Sequence, residues 1–472
     1  MFKSRSRERR IFTSRKRKRP RSSIFSAIAT IALIFLVLEL LTRIFVDLSG
    51  TRNQFAKANT ESDIAQAYRL KFVNDAQGQD SNRANLKAKP ALSVGYQLLG
   101  NQKSKHWQIN SQGFRDRDTI AQAKPKNEVR IFLLGGSTAF GYGSPDNNAT
   151  ISEYLEQRFE QRLQQQKASP KLYKPDLLPF DKVEKQKYLA KPSKIKPGNY
   201  QVVNASVPGY ASGNELAQLA LQILKYKPDL IVILDGYEDL MLKSEVEAVQ
   251  APQTELDKNS QPNSFAGYIS KFIEPIENKS YLAKIAQNRW LKNMSASQKT
   301  DFILNENSAN LVQYLPQGKD ELQKRVDRYI DHQKQILSLS AAARIPLVVA
   351  IQPEITGRNP SQLTETEGKI ATELGRSYIK QVKDSYPVLI EATKQLAKAF
   401  PKNMKAVDLY QLTEKYPSPS FIDPIHLNEA ANQKVAEQLY YAISSLPKMQ
   451  VNPAQSPPPK PVYQKPAYQR QY

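Results

Sequence analysis

From Val129 onward the chain alternates short apolar runs with amphipathic segments, and this rhythm limits the folds open to it. VRIFLL, YQVVNASV (Tyr200–Val207), PDLIVILDG (Pro228–Gly236), IPLVVAIQP (Ile345–Pro353) and KAVDLY (Lys405–Tyr410) read as strands. ISEYLEQRFEQRL (Ile151–Leu163), ELAQLALQILKY (Glu215–Tyr226), ELQKRVDRYIDHQKQILSLSAAA and a stretch around Tyr386–Phe400 carry apolar residues at helical spacing. A last helix, NEAANQKVAEQLYYAISSL, ends at Leu446. Such alternation predicts an α/β fold, a parallel sheet with helices on both sides. The unbroken apolar run in PDLIVILDG fits a strand buried on both faces. Right-handed crossovers then bring the loops after the strands' C-terminal ends to one edge, which is where a site belongs.

What precedes this body is different in kind. Residues 1–23 hold eleven Lys/Arg against one Glu, and so carry +10 of the chain's formal +23. Ile24–Val46 follows, a hydrophobic run of 23 residues whose first fifteen bear no charge. About 20 apolar residues suffice to cross a bilayer core. A basic flank ahead of such a span predicts a cytoplasmic N-terminus and an extracytoplasmic remainder. The basic tail is therefore read as a topology signal, and no nucleic-acid partner is expected. No small-x-small cleavage site clearly follows the span, so it is read as an uncleaved signal anchor. The mean hydropathy of −0.56 excludes a polytopic membrane protein but allows one span.

The expected organisation is a basic cytoplasmic tail (1–23), a transmembrane signal anchor (24–46) and a polar stem (47–105) with one helical stretch around Thr60–Phe72. A domain over 106–446 follows, with insertions near 164–198 and 241–320, and then a Pro-rich, disordered tail (447–472). The absence of cysteine rules out a disulfide framework and a thiolate metal site.

Chemistry enters at RIFLLGGSTAFGYG, Arg130–Gly143. Ser137 stands where the first strong strand breaks into a glycine-rich turn, a place that suits a nucleophile beside backbone N–H groups. A nucleophilic serine needs a base, and the chain holds three histidines, His106, His332 and His426. By pattern His332 lies on the polar surface of a helix, and His106 precedes the first strand of the sheet. His426 sits in FIDPIHLN, just before the last helix, with Asp423 three residues earlier. One loop at the site edge thus delivers a base and a carboxylate to orient it. The order Ser…Asp…His also occurs in α/β-hydrolases. There, however, several strands precede the serine and the acid and base come from separate loops, so that reading fails.

These segments together resemble the SGNH (GDSL-type) hydrolase superfamily, over about Gln108 to Leu446. LLGGST resembles the first family block, with Ser137 matching the nucleophile. VVNASVPGYAS resembles the second, with Gly209 matching the glycine whose N–H lines the oxyanion hole. FIDPIHLN resembles the last, Asp-x-x-His, with Asp423 and His426 matched. NSQGFR (Asn110–Arg115) is similar to a segment ahead of the first block in membrane-anchored bacterial members. The resemblance implies a flavodoxin-like three-layer α/β/α sandwich and a serine ester hydrolase whose Ser137 and Gly209 N–H groups bind the oxyanion. It implies no metal or organic cofactor, and an ester of a lipid or glycan as substrate. The oligomeric state stays open. Acyl transfer to extracellular polysaccharide and a catalytically impaired glycan-binding protein are the alternatives.

The third block departs from the pattern. The family has Gly-x-Asn-Asp where this chain reads LDGYEDL, so Gly236, Tyr237 and Asp239 match while Glu238 replaces the Asn. An Asn amide donates to the oxyanion, whereas an ionised Glu only accepts. Losing one such donor costs about 3 kcal/mol. Three outcomes are open: a protonated Glu238 that donates, a Glu238 turned away with Tyr237 or Asn214 in its place, or an impaired site.

Overall fold

The computed structural model describes residues 63–73, 85–251, 311–412 and 419–457. The basic tail, the expected membrane span, most of the 241–320 insertion and the end of the Pro-rich tail lie outside these residues. Among the described residues no helix is long and apolar enough to cross a membrane.

The sheet of the hydrolase-like body is built from strands β4 (Glu128–Gly135), β5 (Asn199–Asn204), β6 (Leu230–Asp235), β7 (Leu347–Ile351) and β8 (Met404–Asp408), all five parallel. Their spatial order is β8-β7-β6-β4-β5. In order of appearance this is 2-1-3-4-5, the flavodoxin-like winding, whose crevice opens between the first and third strands. Helices α3 (Ile151–Ala168) and α9 (Glu429–Ser444) pack on one face. On the other lie α5 (Ser212–Gln218), which runs on into a π turn at Leu219–Ile223, together with α7 (Lys319–Ala342) and the end of α8 (Glu365–Ala399).

The pleat explains the continuous apolar runs of the central strands β4 and β6. Ile131 and Leu133 enter the core on the α3/α9 side, while Phe132 and Leu134 enter the core on the other side. Leu230, Val232 and Leu234 alternate with Ile231 and Ile233 in the same way. Neither face of the runs Ile131–Leu134 and Leu230–Leu234 meets water, so no position within them needs a polar residue. Helix α8 is longer than the stretch expected around Tyr386–Phe400. It carries Pro387 within it and is broken by non-helical dihedrals at Gly375, residues that interrupt the pattern on which a sequence reading relies.

Part of the segment read as a polar stem is folded. Asp63–Tyr68 forms helix α1, and β1 (Leu70–Phe72), β2 (Leu86–Ala91) and β3 (Gly95–Leu98) form a three-stranded sheet. Leu70, Phe72, Leu86, Ala88, Tyr96 and Leu98 are buried and form one core with Phe140, Val207 and Tyr210 from the loops at the site edge. Each strand alternates over three to six residues, too short a run to stand out among the surrounding polar residues. The 164–198 insertion also has structure. Asp181 caps α4 (Lys182–Leu189), its Oδ1 accepting from the N–H groups of Val183 (3.0 Å) and Glu184 (2.9 Å). Leu177–Leu178 pairs in parallel with Ala454–Gln455, which holds the start of the C-terminal tail against this insertion.

Candidate active site

At the C-terminal end of β4 the chain turns through Gly135 and Gly136 into a single helical turn, α2 (Ser137–Phe140). Two glycines are needed here for different reasons. Gly135 has φ = +151°, and a Cβ on it would lie 2.2 Å from the Leu234 carbonyl oxygen of the neighbouring strand. Gly136 has ordinary dihedrals, but a Cβ on it would lie 2.0 Å from Oε1 of Glu238. The turn is thus pressed against the third strand's loop, and Ser137 is fully buried within the contact.

His426 arrives from the other end of the sequence. The loop between β8 and α9 folds back on itself, with Ile422 N–H donating to His426 O at 3.0 Å and Phe421 bridging Leu427. Within it, Asp423 Oδ1 accepts from the N–H groups of His426 (2.8 Å) and Ile425 (3.1 Å), while Oδ2 lies 2.5 Å from His426 Nδ1. Burial opposes ionisation of Asp423. The imidazole and these two N–H groups together outweigh it and hold the carboxyl below its ordinary pKa. An ionised Asp423 accepting from Nδ1–H leaves the other ring nitrogen to exchange a proton.

Two contacts bring this loop to the serine turn. Thr138, next to Ser137, donates from Oγ1 to the carbonyl of Ile425, next to His426, at 3.2 Å. The ring of Tyr142 stacks on the His426 ring, with centroids 4.2 Å apart and planes 19° apart. Three side chains separated by nearly 290 residues of chain therefore share one corner of the sheet. Glu238, one residue into the short helix α6 (Tyr237–Met241) that follows β6, completes that corner. Its Oε1 lies 3.4 Å from Ser137 N and 3.5 Å from Ser137 Oγ, and it is 1% exposed.

Residues 131–439, which run from the serine turn after the first strand through the Asp-x-x-His loop folded onto it, match the family model of the GDSL-like Lipase/Acylhydrolase. The chain belongs to this family. Among solved structures, the GDSL-family chain is similar to a lipase/acylhydrolase from Enterococcus faecalis at 12% identity, over 67% of this chain and 95% of that one, with a TM-score of 0.33. It is similar to an acetyl-xylooligosaccharide esterase from Geobacillus Stearmophilus at 13% identity, over 67% and 94%, with a TM-score of 0.33. A two-domain esterase active on acetylated mannans matches at 11% identity, over 70% of this chain and 52% of that one, with a TM-score of 0.31. No curated protein matches the chain.

Within this GDSL hydrolase, the second block joins the corner through Val207, whose N–H donates to Gly135 O at 3.0 Å. Gly209 follows two residues later with φ = +81°. The third block answers one question that the sequence leaves open. Glu238 itself faces Ser137. Asn214 is committed elsewhere: its Nδ2 donates to the carbonyls of Val94 and Val249, and its Oδ1 accepts from Ala211 and Val249 N–H. Tyr237 turns into an aromatic core, where its hydroxyl accepts from Tyr378 at 3.2 Å.

Sequence pattern misplaces His332. It is buried, not on the surface, and links Ser212 Oγ (2.9 Å from Nδ1) to Glu247 Oε2 (2.9 Å from Nε2). Ser212 in turn donates to Asp239 Oδ1 at 2.5 Å. This chain of contacts ties the second block to the third. His106, by contrast, has its Nδ1 3.1 Å from Pro145 O.

Arg115, the last residue of NSQGFR, has a role the sequence does not reveal. It is 3% exposed and donates to the carbonyls of Phe140 (3.0 Å), Gly141 (2.7 Å), His106 (2.9 Å) and Asp146 (3.2 Å), and to Tyr68 Oη (2.7 Å). One guanidinium thereby fixes the loop that carries Tyr142. Its planar fork suits several divergent acceptors in a way that a lysine does not.

Proposed function

We propose that this GDSL hydrolase is a membrane-anchored, extracytoplasmic serine esterase acting on carboxylic esters, O-acetyl esters among them, of lipids or cell-envelope glycans. The observation that carries the catalytic part is the Asp423–His426 pair held against the Ser137 turn by the Thr138–Ile425 hydrogen bond. In this reading Ser137 Oγ attacks the ester carbonyl while His426 takes its proton. Asp423 fixes the tautomer and stabilises the imidazolium. The N–H groups of Ser137 and Gly209 receive the oxyanion. His426 then returns the proton to the leaving alkoxide, and water repeats the cycle on the acyl-enzyme. The basic tail and the apolar run Ile24–Val46 support anchoring with the catalytic body outside the cytoplasm. A body tethered there meets lipids and envelope glycans, which sets the substrate class.

The test uses the full chain in its membrane. A fluorophosphonate probe labels the wild type and not Ser137→Ala, and acetate is released from acetylated glycan or acyl lipid with the same dependence. Failure to label a folded wild type rejects the serine esterase. Transfer of acetyl to an added sugar in place of release identifies an acyltransferase. Because the chain has no cysteine, Lys182→Cys reports topology: an impermeant maleimide labels it in intact cells only if the body is outside.

A further inference from the structure

We propose that Glu238 is a catalytic residue of this hydrolase, a neutral carboxylic acid whose O–H donates a hydrogen bond to the oxyanion, so that the enzyme turns over only while that proton is bound. The proposal rests on the serine-esterase reading above and adds to it a specific donor and a specific pH limb.

Position is the first argument. Glu238 Oε1 lies 3.4 Å from the N–H of Ser137 and 3.5 Å from its hydroxyl, beside the nucleophile and at the mouth of the crevice between β4 and β6. The turn is shaped around this carboxyl, since the only side chain that Gly136 can carry without striking Oε1 is a hydrogen atom. Glu238 is also 1% exposed, so water cannot dissipate a charge on it.

Chemistry is the second. An ionised Glu238 accepts the Ser137 N–H, the same donor an oxyanion needs, and repels the negative charge that develops there. The neutral acid reverses both effects: it has a hydrogen to give and no charge to oppose the transition state. During attack the carbonyl π pair moves onto oxygen, the Glu238 O–H points to it, and the proton stays on Glu238 throughout. Collapse to the acyl-enzyme restores the carbonyl, so Glu238 ends each half-reaction as it began.

The surroundings are the third. From β6, Asp235 is buried, as is Asp239 on the same short helix, and Glu215 of α5 and Tyr386 of α8 interact electrostatically with Glu238. Arg328 and His332 of α7 approach from the Asp239 side. The Arg328 guanidinium lies 3.9 Å from Asp239 and donates to the carbonyls of Asp239, Leu242, Lys243 and Val246, while His332 spans Ser212 and Glu247. His426, held by Asp423, comes from the far side of the serine turn. Two carboxyls near Glu238 hold their protons above the ordinary range. Burial and Asp239 push Asp235 up to about 8, and burial with Asp235 and Asp239 raises Glu215 well above its ordinary value.

The test is the pH dependence of kcat/KM for the full chain with p-nitrophenyl acetate, from pH 4 to pH 10. The wild type gives a bell, rising as His426 loses its proton and falling tenfold per pH unit as Glu238 loses its own. Glu238→Gln, an amide of the same size that donates at every pH, keeps the rising limb and loses the falling one. Its rate relative to wild type climbs tenfold per pH unit along that limb. Glu238→Asn, the family's own residue, gives the same flat alkaline side and serves if the Gln variant does not fold. A wild type with no falling limb overturns the proposal, as does a Gln or Asn variant that keeps the limb. So does a Gln variant inactive at every pH while its Ser137 still reacts with fluorophosphonate. Fluorophosphonate labelling of the wild type at its optimum separates the two readings: labelling without the limb rejects only the role of Glu238, and no labelling rejects the esterase.

Discussion

Nδ1 of His426 lies 2.5 Å from Oδ2 of Asp423, and the other oxygen of that carboxylate accepts the backbone N–H groups of Ile425 and His426. The carboxylate thus shapes the loop with one oxygen and orients the imidazole with the other. Asp423→Asn keeps an acceptor for the two N–H groups but presents an amide that favours the wrong tautomer. The expected result is a fall in kcat of about 10³- to 10⁴-fold with the fold intact. Steady-state kinetics and a thermal melt check it together, since a collapsed melt would mean that Asp423 matters chiefly for structure.

Gly136 and Glu238 are in steric contact. Gly136→Ala puts a methyl group 2.0 Å from Oε1, and overpacking of this kind costs about 1–3 kcal/mol. Stability and activity should both fall in the single variant. In a Glu238→Ala background the same methyl has room, so the added loss of stability should shrink to within about 0.5 kcal/mol. This non-additivity, measured as a double-mutant cycle in urea, is the diagnostic result.

Arg115 acts on the site through the Phe140–Asp146 loop. Arg115→Lys leaves several buried acceptors without donors, each costing about 1–3 kcal/mol. The melting temperature should drop by about 5 °C or more. Activity should fall in parallel, because Tyr142, stacked on His426, rides on that loop. An unchanged melting temperature would show that the loop holds without its guanidinium.

Glu354 is fully buried, and burial outweighs the donors Thr356 and Tyr378 to push its carboxyl up to about 7. A raised pKa means that the folded state binds the proton more tightly than the unfolded chain does. The stability this confers is complete below about pH 4.5 and is lost as pH rises through 7, a change of about 3 kcal/mol. Glu354→Gln should remove that slope and leave the protein more stable relative to wild type at pH 8 than at pH 4.5. Urea denaturation at both values measures it, and parallel pH slopes in the two proteins would refute it.

The repeating pattern that fixes secondary structure is written locally, and so is a motif such as Asp-x-x-His. For that reason the five core strands, the serine at the end of the first, and the Asp423–His426 loop can all be read from residues a few positions apart. His332 shows where such reading stops. Its helix presents it among polar neighbours, yet two other segments fold over it and make a surface position into a buried link. Leu70, Phe72, Tyr96 and Leu98 make the same point from the other side, because their burial depends on a partner surface supplied by Phe140, Val207 and Tyr210.

By itself, then, the sequence determined the α/β class and singled out Ser137, Asp423 and His426, whose segments the fold brings to one edge of the sheet. Only the tertiary structure decided the placing of Glu238 against Ser137 and the commitment of Asn214 and Tyr237 to other partners. The reason is physical. Periodicity and turn chemistry act between near neighbours in the chain, whereas the 3.4 Å between Glu238 and Ser137 is set by how β4 and β6 lie side by side, a choice made by the packing of the whole sheet.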